Sequence, residues 1–321
     1  MAASVEDDST NIGEQLPEIL KVVLTSPPPK SDFLFCASWV HVLGVAMVAL
    51  NTVNSDSDTP SSEVGRVWRA VWNFLDSTDA NTRKATVESL AAVSSCFSPK
   101  LISAAIEDRD NSSVIRKIVS QVSQALDSLQ YARAVPELLS VTSSIIENLQ
   151  SREFETGATA AETLLLPVIV HIADLRITKG FEYKEAADET LSVAMRVLGP
   201  EVLLEALPLN LMLGDRYACL SFMIICNADP SSPPGAEPRA FLLPLLAQPH
   251  ASPLSHFISY FVPLSETMFD LQQKAEVEGR QSEAKVWRVL IGQVWAGLPG
   301  YCHESPNLKE VSTCRSEPMV C

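Results

Sequence analysis

The most constraining feature of this sequence is the spacing of its apolar residues, which recur at steps of three and four positions in segment after segment. In SSVIRKIVSQVSQALDSL, residues 112–129, the apolar side chains from Val114 to Leu129 line one helical face. Asn111 or Ser112 is the expected N-cap of this helix. The spacing predicts an amphipathic helix rather than a strand.

The segment SEAKVWRVLIGQVWAGLPG, residues 282–300, shows the same pattern near the other end of the chain. Trp287 and Trp295 fall on its apolar stripe, so both are predicted to be core residues. Ser282 is the expected N-cap, and Pro299 with Gly300 marks the end of the helix.

Further helices of similar length are predicted along the rest of the chain, and no segment alternates as a strand would. Turns rich in Pro, Ser, Asp and Gly separate them. Such a succession predicts an all-α fold, a HEAT/armadillo-like α-solenoid in which helical hairpins stack into an open, elongated array. The predicted helices lie at 15–25, 61–76, 80–97, 133–150, 160–177 and 184–198.

One turn and helix, STDANTRKATVESLAAVSSCF at residues 77–97, carries a more specific pattern. Asp79 stands at the expected cap, Arg83 and Lys84 follow in the first turn, and small alanines recur further along. This resembles the second helix of a HEAT repeat, in which an acidic cap and a basic residue link successive units. Small residues also allow neighbouring helices to approach closely, as stacking requires.

The segment Phe33–Val53 contains no charged residue and is about as long as a transmembrane helix. His41 and Asn51 lie within it, acidic residues stand on both sides, and no Lys/Arg cluster flanks it. A core helix buried on all sides has the same composition. We therefore interpret the segment as a buried helix, with a membrane span as the alternative.

The charge balance restricts the possible partners. The net charge is -15, from 39 acidic and 24 basic side chains, which argues against a surface built mainly to neutralise phosphates. Any RNA contact is expected to be indirect or weak. The start, MAASVEDDST, lacks the pattern of a secretory signal, so the seven cysteines are expected to be free thiols, buried and structural.

No catalytic, cofactor-binding or metal-binding residue is predicted. Ser282 and Lys285 match an S-x-x-K pattern, but the S-D-N and K-T-G elements that must accompany it do not occur. The five histidines, His41, His171, His250, His256 and His303, lack metal-ligand spacing, as do the cysteines. His41 and His171 are expected to be core histidines, and Trp68, Trp72 and Phe74 are expected to be core aromatics rather than a platform for bases.

Three ordered blocks between residues 160 and 302 resemble the ribosomal RNA processing protein 12 family of HEAT-repeat proteins. They are LGPEVLLEALPLNL at 198–211, EPRAFLLPLLAQPHASPLSHFISYFVPLSE at 237–266, and EAKVWRVLIGQVWAGLPGYC at 283–302. The resemblance implies that block 237–266 is a helical corner of the array. Pro244 and Pro263 would then break or start helices, and four side chains would point into the stack: Phe241, Leu245, Phe257 and Phe261.

The resemblance also implies a function. Members of the family are non-catalytic scaffolds of ribosome biogenesis, which associate mainly with small-subunit pre-ribosomes and support rRNA processing and export. It implies a nuclear and nucleolar location, with assembly factors and export machinery as partners and no membrane. The acidic composition keeps an alternative open, a general α-solenoid adaptor or nuclear-transport-type receptor for basic cargo.

The expected organisation places HEAT-like repeats at 15–210 and their continuation at 237–302. Residues 1–14 and 303–321 are expected to be disordered tails. Residues 211–236 form an atypical insert, whose apolar run includes Phe222 and Ile224. We interpret 212–232 and 311–321 as products of a gene-model error, with a genuine surface loop as the alternative.

Overall fold

The computed structural model describes residues 15–53, 59–108, 110–151, 158–211, 238–250 and 252–303. Within these ranges every regular element is helical, which confirms the all-α helical-repeat prediction. The chain divides into two compact units between Val168 and Ile169. The expectations for residues 1–14 and 304–321, and for the insert from residue 212 onward with Phe222 and Ile224, lie outside the described residues.

The first unit is a series of stacked helices. Helix α2 (Phe33–Val53) packs on α4 (Ala80–Ser94), and α4 packs on α7 (Val135–Asn148). Helix α3 (Thr59–Trp72) contacts α2, α4 and α6 (Val114–Leu126). This arrangement, in which each helix contacts mainly its neighbours in the series, is the packing of a repeat protein. The elements are α1 (15–25), α2 (Phe33–Val53), α3 (Thr59–Trp72), α4 (Ala80–Ser94), α5 (Pro99–Glu107), α6 (Val114–Leu126), a 3₁₀ helix (Leu129–Ala134), α7 (Val135–Asn148) and α8 (Ala160–Ile177), the last of which contains the division between the units.

Side-chain caps set several helix starts in this unit. Asp79 accepts a hydrogen bond from the Thr82 amide at 2.7 Å and caps α4, as the sequence predicted. Helix α6 instead has Ser113 as its N-cap, so the prediction of Asn111 or Ser112 was wrong by one or two residues. The side chain of Ser113 makes no capping bond, and its amide donates to Asp108 at 2.6 Å. That hydrogen bond holds the pKa of Asp108 at about 2.

The aromatic residues of α3 and of the turn that follows it belong to the core. Trp68, Trp72 and Phe74 are buried, as predicted. Each indole N–H finds an acceptor, because Trp68 donates to Gln121 at 3.2 Å and Trp72 donates to the Tyr131 hydroxyl at 2.9 Å. These bonds join α3 to α6 and to the 3₁₀ helix, so the aromatic pair holds consecutive layers of the unit together.

Helix α2 is buried on one face only, so the prediction of a helix buried on all sides was wrong. Its inner stripe packs in the core, whereas Leu34, Val42, Val45 and Val48 are exposed. Among the described helices, α2 is long and apolar enough to cross a membrane by length and composition. A core helix of a soluble protein passes the same test, and the inner stripe identifies α2 as a packed element of the stack.

The second unit is built around a short 3₁₀ helix, Ala240–Ala247, which packs against α9 (Lys184–Leu198), α13 (Gln281–Ala296) and α14 (Leu298–Cys302). Gly199, at φ +85° and ψ 154°, joins the first two α-helices of this unit in a conformation that is essentially restricted to glycine. The elements are α9 (Lys184–Leu198), α10 (Pro200–Ala206), the 3₁₀ helix, α11 (Leu254–His256), a π-helical segment (Phe257–Phe261), α12 (Val262–Val277), α13 (Gln281–Ala296) and α14 (Leu298–Cys302).

The proline-rich stretch is a structural corner, although its inward residues differ in part from those predicted. Phe257 and Phe261 are buried, as expected. Phe241 and Leu245 are only partly buried, because the 3₁₀ turn directs other side chains inward. The buried side chains of the 3₁₀ helix are Leu242, Leu243 and Leu246. Pro244 lies inside that helix and Pro263 lies in the first turn of α12.

Candidate functional site

The interface between α4 and α7 is held by a partly buried ion pair. Arg83 Nε lies 2.7 Å from Glu137 Oε1, and the two side chains are 14% and 17% exposed. Arg83 also donates to the Ser77 carbonyl at 3.0 Å, and Asn148 donates to Ser94 Oγ at 2.9 Å across the same interface. The basic residue that follows the acidic cap therefore links α4 to α7, two helices that pack side by side, as the likeness to a HEAT repeat predicted.

The described residues contain no group of three or more His, Cys, Asp or Glu side chains arranged to hold a metal ion. Ser282 and Lys285 are both exposed in the first turn of α13, on a solvent-facing part of the helix. Helix α13 begins at Gln281 with Arg280 as its N-cap, so the prediction that Ser282 caps this helix was wrong. Neither residue lies in an enclosed site suited to covalent catalysis.

The histidines do not converge on one site. His41 is exposed on the outer face of α2, so the prediction of a core histidine was wrong there. His171 is partly buried in α8, and His303 is exposed after α14. His250 and His256 lie within the same aromatic cluster of the second unit. The sequence spacing did not indicate that these two would meet.

This cluster centres on Tyr301, which is fully buried. The hydroxyl of Tyr301 lies 2.8 Å from His256 Nδ1, and its ring packs edge to face with His250 and Phe257. Burial lowers the pKa of His250 to about 4 and also lowers that of His256, while burial raises the pKa of Tyr301. These three polar groups are therefore neutral near pH 7, as a packed core requires.

Two glycines allow α13 and α14 to approach the 3₁₀ helix. A Cβ at Gly297 would stand 2.7 Å from Leu246 Cβ. A Cβ at Gly300 would overlap the Leu246 carbonyl oxygen and lie 2.7 Å from the Gln248 carbonyl oxygen. Gly300, which marked the end of the predicted helix, is thus required by close backbone approach, and Gly297 is required for the same reason.

The sequence did not predict that the outer face of α13 is exposed. Trp287 is 1% exposed, as predicted, but Trp295 is 45% exposed, so its prediction as a core residue was wrong. Trp295 contacts Phe257 edge on, with 5.7 Å between ring centroids, and its remaining surface meets solvent. Lys285, Arg288 and Gly292 are exposed on the same side of the helix. Their spacing to Trp295, at steps of three and four residues, was a sequence signal for this outer face.

An open groove of about 410 Å³ lies in the first unit. It is lined mainly by apolar residues, among them Pro27, Pro28, Trp39 and Phe74. Two of its polar side chains are already engaged, because the indole of Trp39 donates to the Val23 carbonyl at 3.1 Å and Lys30 pairs with Asp76 at 3.0 Å. The groove offers apolar contact but no chemistry of its own.

Comparisons with known proteins agree with the likeness that the sequence blocks indicated. A family model described as "Ribosomal RNA-processing protein 12, HEAT repeats" matches residues 76–312. This range includes α4 and all the described residues that follow it, through α14 and residue 303.

Three curated proteins are similar to the chain. A Schizosaccharomyces pombe protein named as a ribosomal RNA-processing protein 12 is 28% identical over 289 residues, which cover 89% of this chain and 22% of that protein. An RRP12-like protein of Gallus gallus is 30% identical over 158 residues, 49% of this chain and 11% of its own length. An RRP12-like protein of Homo sapiens is 23% identical over 296 residues, 92% of this chain and 21% of its own. The chain thus spans at most about a fifth of these relatives.

Proposed function

The chain belongs to the ribosomal RNA-processing protein 12 family by its HEAT repeats, and from this premise we propose that it is a non-catalytic helical-repeat scaffold of ribosome biogenesis. In this function it supports rRNA processing together with the maturation and export of pre-ribosomes, mainly those of the small subunit. The observation that carries the proposal is the family match over residues 76–312. The proposal concerns a segment that corresponds to about a fifth of its relatives' length.

The packing of the first unit supports a scaffold. Its helices are joined by interface contacts such as Arg83 with Glu137 and Trp68 with Gln121, which hold successive layers in register. Repeat proteins of this kind present extended surfaces to partners instead of a single enclosed cleft.

The charge of the chain favours protein partners over direct RNA contact. A net charge of -15 repels the phosphate backbone, so binding to pre-ribosomes would proceed through assembly factors, with RNA contact weak or indirect. Because pre-ribosomal partners of this kind, including export machinery, belong to the nucleolus and nucleus, we expect the protein in those compartments. These assignments follow the family and remain part of the proposal.

A second candidate function is an adaptor or nuclear-transport-type receptor that binds basic protein cargo. The excess of 39 acidic over 24 basic side chains favours it, because an acidic solenoid surface complements a basic partner. The two candidates predict different complexes, since a scaffold travels with large pre-ribosomal particles and an adaptor travels with free cargo.

Density-gradient sedimentation of the tagged full chain from nuclear extract tests the proposal. We expect the chain in fractions that contain small-subunit precursors, and we expect its depletion to cause precursor rRNA to accumulate on RNA blots. RNase treatment before sedimentation should move the chain to lighter fractions together with assembly factors. A chain that sediments only in light fractions with basic proteins, before and after RNase, contradicts the scaffold and favours the adaptor.

A further inference from the structure

Helices α3 and α6 lie side by side and run in the same direction. A Cβ at Gly65 would stand 3.2 Å from Val114 Cγ1, and Trp68 Nε1 donates to Gln121 Oε1 at 3.2 Å. Because the two contacts advance along both helices in the same order, the helices are parallel. Their solvent-facing sides therefore form one outer surface along the line of contact. The exposed side chains of this α3–α6 surface are Ser62, Arg66, Arg69, Lys117, Ser120 and Gln124.

The basic side chains of the α3–α6 surface stand beside the line of contact. Arg69 follows Gly65 by four residues, so it lies one turn further along the same side of α3. Lys117 follows Val114 by three residues and has the corresponding position on α6. Arg66 is the neighbour of Gly65 in the sequence, and its side chain is 45% exposed. The three cations are therefore neighbours on one small surface.

Among the described residues, two of these cations have no carboxylate partner. Arg66 is paired, because its Nη1 lies 2.9 Å from the Glu63 carboxylate. Arg69 instead donates its Nε–H to the Gly65 carbonyl at 3.0 Å, which uses one of its five N–H groups. Neither Arg69 nor Lys117 forms an ion pair within the described part of the chain. Three cations and one carboxylate leave the α3–α6 surface with a net positive charge, although the whole chain is acidic.

The α3–α6 surface is short. Carboxylates stand beyond both ends of α6, because the exposed Asp110 precedes this helix and the exposed Asp127 follows it. Helix α6 has 13 residues, so it is about 20 Å long, which equals about six residues of an extended peptide. A nucleic acid strand would extend past these limits and meet a chain whose net charge is -15. The surface therefore fits a short anionic segment better than a polynucleotide.

We propose that the α3–α6 surface binds a short acidic segment of a protein partner, a run of Asp and Glu side chains in an extended conformation. The guanidinium of Arg69 matches a carboxylate with two parallel N–H···O bonds, and Lys117 supplies a second cation beside it. Ser120 Oγ accepts a hydrogen bond from Gln124 at 3.0 Å, and its own hydroxyl can donate to the same segment. The proposal assigns a partner class to the scaffold, and it rests on the proposed function only for the partner being an assembly factor.

The proposal is tested by fluorescence anisotropy, in which the purified full chain is titrated into a fluorescein-labelled hexapeptide of alternating Asp and Glu. We expect saturable binding that weakens as salt rises, and no binding of the matched hexapeptide of Asn and Gln. Arg69→Glu combined with Lys117→Glu should weaken binding about tenfold, since two exposed ion pairs are replaced by repulsion. The matched control is Lys84→Glu with Lys274→Glu, which changes the net charge equally at exposed lysines of α4 and α12 and should retain most of the binding.

A neutral variant, Arg69→Gln with Lys117→Gln, keeps the test decisive if the charge-reversed chain is less stable. It should weaken binding by a smaller factor, and circular dichroism checks that each variant folds. A wild-type chain that does not bind the acidic hexapeptide overturns the proposal, as does an equal loss of binding in the lysine control. Tighter binding of single-stranded oligouridine, lost in the Arg69 and Lys117 variants, also overturns it and indicates an RNA surface. Because the titration uses purified components, its failure leaves sedimentation with small-subunit precursors unaffected, so the two proposals fail separately.

Discussion

Arg83 of α4 and Glu137 of α7 form an ion pair across the interface of these two packed helices, with Nε and Oε1 2.7 Å apart. The second oxygen, Glu137 Oε2, is buried and makes no hydrogen bond within the described residues. Arg83 is therefore the main group that compensates the Glu137 carboxylate for the hydration it loses on burial. The pair joins adjacent layers of the stack. Removing either side chain would leave the other charge partly buried and unpaired, which is destabilising.

We expect Arg83→Met to lower the free energy of unfolding by about 3 kcal/mol, because it leaves the Glu137 charge partly buried and unpaired. The double variant Arg83→Met with Glu137→Leu should recover most of this loss. Urea denaturation of both single variants and the double variant completes the cycle. Additive losses in the double variant would show that the two side chains act independently.

The two tryptophans of α13 should respond differently to truncation. Trp287→Ala should lower the free energy of unfolding by about 3–5 kcal/mol, as expected for a fully buried indole. Trp295→Ala should cost only roughly 1–2 kcal/mol, since almost half of its surface remains in solvent. Thermal denaturation of both variants measures the difference. Equal losses would mean that Trp295 is covered in the folded protein.

Gly300 and Gly292 form a matched pair of glycine substitutions. Gly300→Ala should destabilise the second unit by about 2–3 kcal/mol, because the new Cβ overlaps the Leu246 carbonyl. Gly292→Ala should raise stability by about 0.5–1 kcal/mol, since nothing lies within 4 Å of its Cβ position and alanine favours a helix. Melting temperatures should move in opposite directions. A neutral Gly300→Ala would contradict the close approach of α14 to the 3₁₀ helix.

His250 should make the stability of the second unit depend on pH. Burial lowers the pKa of His250 to about 4, whereas the unfolded chain keeps a value near 6.5, so between these values the unfolded state binds more protons. The contribution of His250 to the free energy of unfolding should therefore be fully present above about pH 6.5 and should decrease as the pH falls toward about 4. His256, whose pKa is also lowered, should add to this loss.

His250→Phe should weaken this pH dependence, because phenylalanine fills the site without a proton to bind. The matched control is His303→Phe, which replaces an exposed histidine outside the Tyr301 cluster. Denaturant titrations across this pH range measure both profiles. A His250→Phe profile as steep as that of the wild type would assign the pH dependence to other groups.

The helices and the repeat class follow from the sequence because they depend on local spacing. Helices at 15–25, 160–177 and 184–198 were predicted with the bounds that the structure has. Asp79 as a cap and Trp68 as a core residue were also predicted correctly, since a cap and an apolar stripe are properties of neighbouring residues. The family blocks added the likeness to ribosomal RNA-processing protein 12 repeats.

The short elements were harder to predict. Helix α5 and the 3₁₀ segments are too short to show a clear apolar period. The 3₁₀ helix at Ala240–Ala247 has fewer residues per turn than an α-helix, so its inward leucines do not follow the α-helical spacing. Ser282 was predicted as a cap although Arg280 has that position. Helix ends differ by one or two residues without changing the apolar pattern, so spacing alone does not locate them.

The apolar spacing is enough to predict that α2 and α13 are helices with apolar faces, but it does not predict which of their apolar residues other helices cover. Val45 and Trp295 have the composition of core residues and nevertheless face solvent, while His250 is buried beside Tyr301. The reason is physical: spacing along one helix defines its faces, whereas burial depends on which other helix packs against each face. That choice is made by contacts distant in sequence, such as those of Gly44 with Ser89 and of Gly300 with Leu246.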